Sequence, residues 1–225
     1  MKNRLFLLCT FFLFINIDNS FSQEINAKNH LSSKEITALY GNPEDADDIA
    51  FSYVYSEGIF SDPLKKNLLN YWTAIAAEND PTGRCQYNYY ILIISEGYKL
   101  DDYRRGVYWL NKSICLGYKV PNSCLESDSC YKNEFNEEKF INPIKNESNL
   151  ELYKEAALIG SGKAAYNLSL YYEKQHDQSQ YMYWLQIGSQ NGSKECMKEY
   201  AALLRKSSDK YDNIRAEFWE KKATS

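Results

Sequence analysis

The groups that could do chemistry are few and scattered. The chain carries two histidines, six cysteines and thirty acidic residues. A zinc centre needs cysteine and histidine at tight spacing, and neither His30 nor His176 has a cysteine neighbour. A Ser/His or Cys/His nucleophile pair in the later chain would have to use His176, but Gln175-His176-Asp177-Gln178 reads as a polar turn. No Gly-x-Ser-x-Gly elbow occurs. Gly160-Ser-Gly-Lys163 resembles the end of a phosphate-binding loop without the preceding strand and glycine, and reads better as a helix end followed by a helix start. Asp101-Asp102 and Glu137-Glu138 are adjacent acids, whereas paired acids for glycoside hydrolysis must face one another across a cleft. The expectation is no catalytic residue, no metal ligand and no cofactor.

The N-terminus points to export. Met1-Lys2-Asn3-Arg4 is basic, Leu5 to Ile17 is apolar, and Ser20 and Ser22 supply small residues at a cleavage site. That order is a secretory leader over 1–22, cleaved after Ser22. The alternative is a membrane anchor, but the run falls short of the ~20 apolar residues that span a bilayer. Cys9 lies inside the apolar run after Leu7-Leu8, which is the wrong place for lipidation. Without the leader the net charge is −5, with no basic stripe to suit nucleic acid. The exported chain is expected to make no stable membrane insertion. Tyrosine is the most biased component, at 20 of 225 residues; it serves both half-buried packing and protein contact.

The positioning elements show in a ladder of tryptophans, Trp72, Trp109, Trp184 and Trp219, with a middle gap close to two periods. A recurrence of that length marks a stacked repeat protein. Gly117 and Gly192 each follow a tryptophan by eight residues, and Asp80 follows Trp72 at the same offset. Leu152 followed by Gly160 has the same shape, which places a hidden unit with Leu152 in the tryptophan position. Each anchor segment reads as an amphipathic helix that ends at glycine in a left-handed cap. A second helix follows, small at Ala164 and Cys196 and large at Leu168 and Tyr200, so Cys196 reads as a small hydrophobe at a helix contact. Upstream, Ala46 and Ala50 lead to Gly58, and Cys85, Tyr89 and Leu92 lead to Gly97. Asp62 and Asp101-Asp102 stand where a helix start needs a cap. Residues 23–44 read as an N-terminal tail or partial helix, and 45–225 as the repeat domain.

This grammar resembles the Sel-one-like repeat family, a relative of the tetratricopeptide repeat. The matching pieces are Ala50/Tyr55/Gly58/Asp62/Tyr71-Trp72/Ala76-Ala77 and Tyr90/Gly97/Asp101/Tyr108-Trp109/Lys112/Gly117. Tyr153-Lys154-Glu155-Ala156-Ala157/Gly160/Ala164/Leu168/Tyr172 and Tyr183-Trp184/Gly192 follow. The resemblance covers roughly 45–222. It implies an all-α fold: a right-handed superhelical solenoid of stacked antiparallel helix pairs, with first helices lining the concave side. The family's first-turn Gly-x-Gly is replaced by Gly58-Ile-Phe and Gly97-Tyr-Lys, and its leucine-glycine pair is missing. Four units and a terminal capping helix is the safer count.

The period breaks over 118–149, a net acidic insertion with a degenerate first helix expected around Glu134 to Ile141. Insertions in repeat arrays emerge on one face, often the binding face; a solvated variable loop is the equal alternative. The candidate contact residues are Glu126, Asp128, Glu134, Glu137 and Glu138, with Tyr87 and Tyr90 on a tyrosine-rich helix. Secreted cysteine-rich relatives staple the junction after a second helix, so the resemblance implies a Cys115–Cys124 disulfide. Cys124–Cys130 competes locally, and Cys85 could join either. Relatives have been credited with penicillin chemistry, but the Ser-x-x-Lys signature does not appear in a usable context; Lys34 follows Ser32-Ser33, in the tail.

The resemblance further implies a protein partner in the periplasm of a Gram-negative bacterium. In its sharpest form the chain is an immunity protein against a toxic effector of a contact-dependent (type VI) secretion system. Acidic and aromatic residues would suit a toxin or enzyme with a basic cleft. A general envelope scaffold and a cell-wall-active enzyme are the rivals.

Overall fold

The computed structural model describes residues 31–59, 61–96, 99–121, 130, 136–144 and 146–225. The leader segment 1–22 and His30 lie outside them. Among the described residues there are ten α-helices and no strand, so the chain is all-α. The chain divides into two compact units, with the boundary between Asn79 and Asp80.

The first unit holds α1 (Ser33–Leu39), α2 (Pro43–Val54) and α3 (Pro63–Asn79). Each start carries a capping signal. Ser32 and Glu35 close a capping box on α1, so the Ser32–Lys34 segment expected in the tail is a helix start. Asn42 caps α2, with Pro43 at its first position. Asp62 accepts from the amides of Leu64 and Lys65 at the start of α3, as its position suggested. Ala46 and Ala50 of α2 face Leu68, Trp72 and Ile75 of α3 across a buried seam.

The second unit holds α4 (Arg84–Glu96), α5 (Leu100–Cys115), α6 (Leu150–Leu158), α7 (Gly162–Lys174), α8 (Gln178–Gln190), α9 (Lys194–Leu204) and α10 (Lys210–Thr224). Short 3-10 turns at Glu137–Phe140 and Glu147–Asn149 precede α6. Packing follows chain order: α4 on α5, α7 on α8, α8 on α9, α9 on α10, with α6 also reaching α8 and α7 also reaching α9. Asp80 stands where glycine follows the other tryptophans, and it does different work. Burial alone would raise its carboxyl, but hydrogen bonds from the Cys85 and Thr82 amides hold it below the usual range and start α4. Asp101 and Asp102 are not caps; they lie inside the first turn of α5, behind Lys99.

The glycine ends behave as expected: Gly117, Gly160 and Gly192 have φ of 87°, 127° and 95°, a region closed to most side chains. Each of the last two is followed by a serine that caps the next helix, Ser161 on α7 and Ser193 on α9. Gly160-Ser-Gly-Lys163 is therefore a helix end and a helix start. His176, at φ 56°, takes the glycine position after α7 and makes the expected turn.

All four tryptophans are buried. The segment expected as a hidden unit is helical, as α6, but its inward residue is one position later than the spacing implied. Leu152 is 58% exposed and Tyr153 only 6%. Phe140 supplies the neighbouring bulk, meeting the Tyr153 ring edge-on at 5.1 Å, while the Tyr153 hydroxyl donates to the Asn142 carbonyl. Those contacts turn the helix so that 153, 156 and 157 face inward and 152 does not.

Two contacts hold α7, α8 and α9 together. Gly188 lets α8 approach so closely that a methyl group there would run into Cys196 of α9, with Ala165 Cβ of α7 at 3.2 Å. Cys196 is fully buried, the small hydrophobe its spacing indicated, and burial pushes its thiol up to about 12. On the other side, Tyr166 of α7 and Tyr181 of α8 both donate to the Glu199 carboxylate of α9, at 2.8 and 3.0 Å. Gly188→Ala is expected to lower stability in urea by about 1–3 kcal/mol, with Cys196→Ala in the same chain recovering part of the loss. Unchanged stability of Gly188→Ala would contradict the close approach.

The phenols give a pH signature. Burial raises Tyr166 to about 12, the bond to Glu199 adding to it, and burial raises Tyr172 to about 12 as well. Tyr181 is raised by burial and by Glu199 in turn. A raised folded value means stabilisation present below the ordinary phenol value of 10.0 and lost as pH climbs through about 12. Phenolate absorbance and helical circular dichroism followed together from about pH 9 upward should show a late group of tyrosines ionising as helix is lost. Complete ionisation near pH 10 with the helix intact would contradict it.

Candidate interaction surface

Tyr87 and Tyr90 of α4, both half-buried, come together with ring centroids 6.0 Å apart, and the Tyr87 ring is 5.3 Å from Tyr118 past the end of α5. Gly106 of α5 lies beneath them: a Cβ there would sit 3.1 Å from Ile94 Cγ2 and 3.3 Å from Tyr90 Cδ2. Glycine thus lets the Tyr90 ring lie against the α5 backbone. Burial raises the Tyr90 phenol, and the neighbouring phenols of Tyr103 and Tyr87 add to the shift. Tyr103, close enough to act on Tyr90, is exposed, as are Ile91 of α4 and Leu100 at the start of α5. The result is a tyrosine-rich surface whose inner edge is packed and whose outer edge is wet, the amphipathic character common in protein contacts.

The described part of the insertion does not follow the solvated-loop alternative. Glu126, Asp128, Glu134 and Cys124 lie outside the described residues. Glu137 faces the fold, accepting from Ser161 Oγ at 2.9 Å and from the Lys163 amide at 3.3 Å. A carboxylate at the start of α7 is favoured by the helix dipole, so this acid is committed to the scaffold. Glu138 is exposed. The expected degenerate helix is a 3-10 turn over Glu137–Phe140, and Phe140 is buried with Tyr153, Leu168 and Trp184. Asn167 of α7 donates to the Phe140 carbonyl. Residues 137–144 therefore belong partly to the core.

The disulfide also differs. Cys115 is joined to Cys130, not to Cys124, because the backbone at 130 returns to within 4.6 Å (Cα to Cα) of the α5 end, inside the reach of such a bond. It anchors the insertion beside Tyr118. Cys85 is buried in the first turn of α4, its amide on Asp80.

On α5 sits a buried residue that sequence patterning missed. Arg105 of α5 is buried, its guanidinium 4.2 Å from the Tyr108 ring centroid and 5.2 Å from that of Trp109. It donates to Asn191 Oδ1 at 2.8 Å, Gln190 Oε1 at 2.7 Å and, more weakly, the Leu158 carbonyl at 3.4 Å. Asn191 donates in turn to the Ala157 carbonyl, and Tyr108 to that of Gln190. One cation thus meets the C-terminal ends of α6 and α8, where helix dipoles favour positive charge. A signal for it was present: Arg105-x-x-Tyr108-Trp109-x-x-Lys112 recurs as Arg215-x-x-Phe218-Trp219-x-x-Lys222, with the same cation-over-ring geometry on α10.

Among the described residues no cluster of three or more His, Cys, Asp or Glu side chains is arranged to hold a metal ion, and no helix is long and apolar enough to cross a membrane. Comparison with protein-family models, with curated proteins and with solved structures found no match.

Neighbouring arginines should respond very differently to substitution. Arg105→Lys keeps the charge but not the fork, leaves buried oxygens unmatched, and should cost about 1–3 kcal/mol. Arg104 pairs across to Glu151 and Glu155, both well exposed, so Arg104→Gln should cost under about 1 kcal/mol. Chemical denaturation of both variants checks the contrast, and equal losses would contradict it.

Proposed function

We propose that this chain is a protein-binding module of stacked helix pairs that acts in the periplasm once its leader is removed. The pairing of α2 with α3, α4 with α5, α7 with α8 and α9 with α10 supports that architecture. A third pair has its first helix reduced to the Glu137–Phe140 turn. In this proposal the pairs wind as a right-handed superhelix of the Sel-one-like kind, with first helices on the concave side.

The observation that carries the function is the tyrosine surface of α4 and α5. Tyr87, Tyr90 and Tyr103 are grouped together, with Tyr90 against Gly106 of α5, the helix that the buried Arg105 holds in place. Rigid aromatic side chains lose little entropy on binding and dominate interface energetics. The sharper form of the proposal is an immunity protein that binds and neutralises a toxic effector of a bacterial secretion system.

Co-expression with the effector encoded beside it tests this directly. The proposal expects the two to co-purify from the periplasm and growth to be rescued. Tyr103→Ala should weaken the complex by about 2 kcal/mol, while Glu138→Gln leaves it intact. Neither co-purification nor rescue would end the immunity form. Co-purification with an envelope protein instead would favour a scaffold.

A further inference from the structure

The charge of the chain is confined to one unit. Residues 31–79 contain eight acidic and three basic residues, whereas 80–225 contain twenty of each. The first unit therefore carries a net −5 and the second none.

Much of that charge lies on α2, whose two sides are sharply different. Ala46 and Ala50 face the core. At 100° per residue, the opposite side presents Glu44, Asp48, Phe51 and Tyr55, while Asp47 and Val54 run along its flank, Asp47 half-buried and with an interaction of its own. Phe51 is 57% exposed and Tyr55 72%, and their rings pack on each other at 4.6 Å. Val54 is exposed beside them.

Some of the acids have structural explanations. Glu44 and Asp45 lie in the first turn, where the helix dipole favours them, and Asp45 also accepts from the Thr37 hydroxyl. Asp48 shares its charge with Lys34 at 2.6 Å. Farther on, Lys65 of α3 donates to the Glu57 carbonyl. Helix stability does not call for Phe51, Val54 and Tyr55 outside. A lone exposed apolar residue needs no explanation, but three side by side, two of them in tilted ring contact and next to acids, have the make-up of a binding face.

We propose that the outward face of α2 is a docking surface for a cationic, amphipathic segment of a partner protein, with lysine or arginine set against Asp47, Asp48 and Glu44 and an apolar side chain laid against the Phe51–Tyr55 ring pair. The inference rests on the protein-binding function above and names the chemistry of the partner. The charge complement selects a basic partner over a second copy of this chain, whose α2 would bring like charge to like. Opposite charge would speed encounter and the ring pair would hold the complex, so association is salt-sensitive and dissociation depends on Phe51 and Tyr55.

The test uses the purified chain and a fluorescent amphipathic helical peptide of leucine and lysine, with a lysine-acetylated version for comparison. Anisotropy should show binding that falls with salt and weakens about tenfold or more for each of two double variants, Asp47→Asn with Asp48→Asn, and Phe51→Ser with Tyr55→Ser. Acetylation should weaken it likewise, and Tyr103→Ser on the other surface should leave it unchanged. Thermal melts of Phe51→Ser with Tyr55→Ser should match the parent, since these side chains are exposed, and those of Asp47→Asn with Asp48→Asn should fall only by the loss of surface pairing such as that with Lys34. Undiminished binding by both double variants, or equal binding of the acetylated peptide, overturns the proposal. So does a dimer in sedimentation that Phe51→Ser with Tyr55→Ser dissolves, since a second copy would then be the occupant. The two levels separate in the effector experiment: a complex that survives both double variants sinks the α2 face and leaves the function standing, whereas no complex at all sinks the function.

Discussion

A guanidinium cannot be buried cheaply; taking such a charge out of water costs several kcal/mol unless its donors find oxygens. Arg105 meets that demand by drawing on chain 53, 85 and 86 residues away, at Leu158, Gln190 and Asn191. Its satisfaction depends on the ends of α6 and α8 being in place, and α5 is held where those ends are. Tyr108 and Trp109 lend their ring faces to the same charge. The tyrosine surface on α4 inherits this rigidity through Gly106, which admits no gap between Tyr90 and the α5 backbone.

The Glu137–Phe140 turn is tied to the fold by contacts of its own. Phe140 packs with Tyr153, Leu168 and Trp184, Glu137 satisfies the start of α7, and Asn167 ties the turn down by its carbonyl. Cys115–Cys130 pins the earlier part of the insertion to the end of α5.

Helix ends were the most legible feature. Gly117, Gly160 and Gly192 after an apolar run, and Ser161, Ser193 and Asp62 before one, act through their own backbone neighbours, so local spacing suffices to find them. The buried tryptophans and the small site at Cys196 followed from helical period. What spacing could not supply was the outcome of contacts between distant segments. Leu152 and Tyr153 are both plausible inward residues until Phe140 decides between them. Glu137 looks like a surface acid until the start of α7 arrives beside it. The partner of Cys115 depends on where residue 130 returns, which composition does not encode. Arg105 was hidden for the same reason: arginine on a helix is ordinarily a solvated face, and only its neutral partners from later helices make it an interior residue.

Two exposed faces emerge, one of tyrosines on a charge-neutral unit and one of aromatics among acids on the unit that holds the net charge. The central claim is that the molecule acts through such faces. Hydrogen–deuterium exchange on the chain alone and in complex with the co-expressed effector tests it most directly. The account predicts new protection at Pro43–Val54 and across Arg84–Tyr103, with the Glu137–Phe140 turn unchanged because it is already packed. Protection confined to that turn and its flanks, with α2 and α4 exchanging as before, would contradict it.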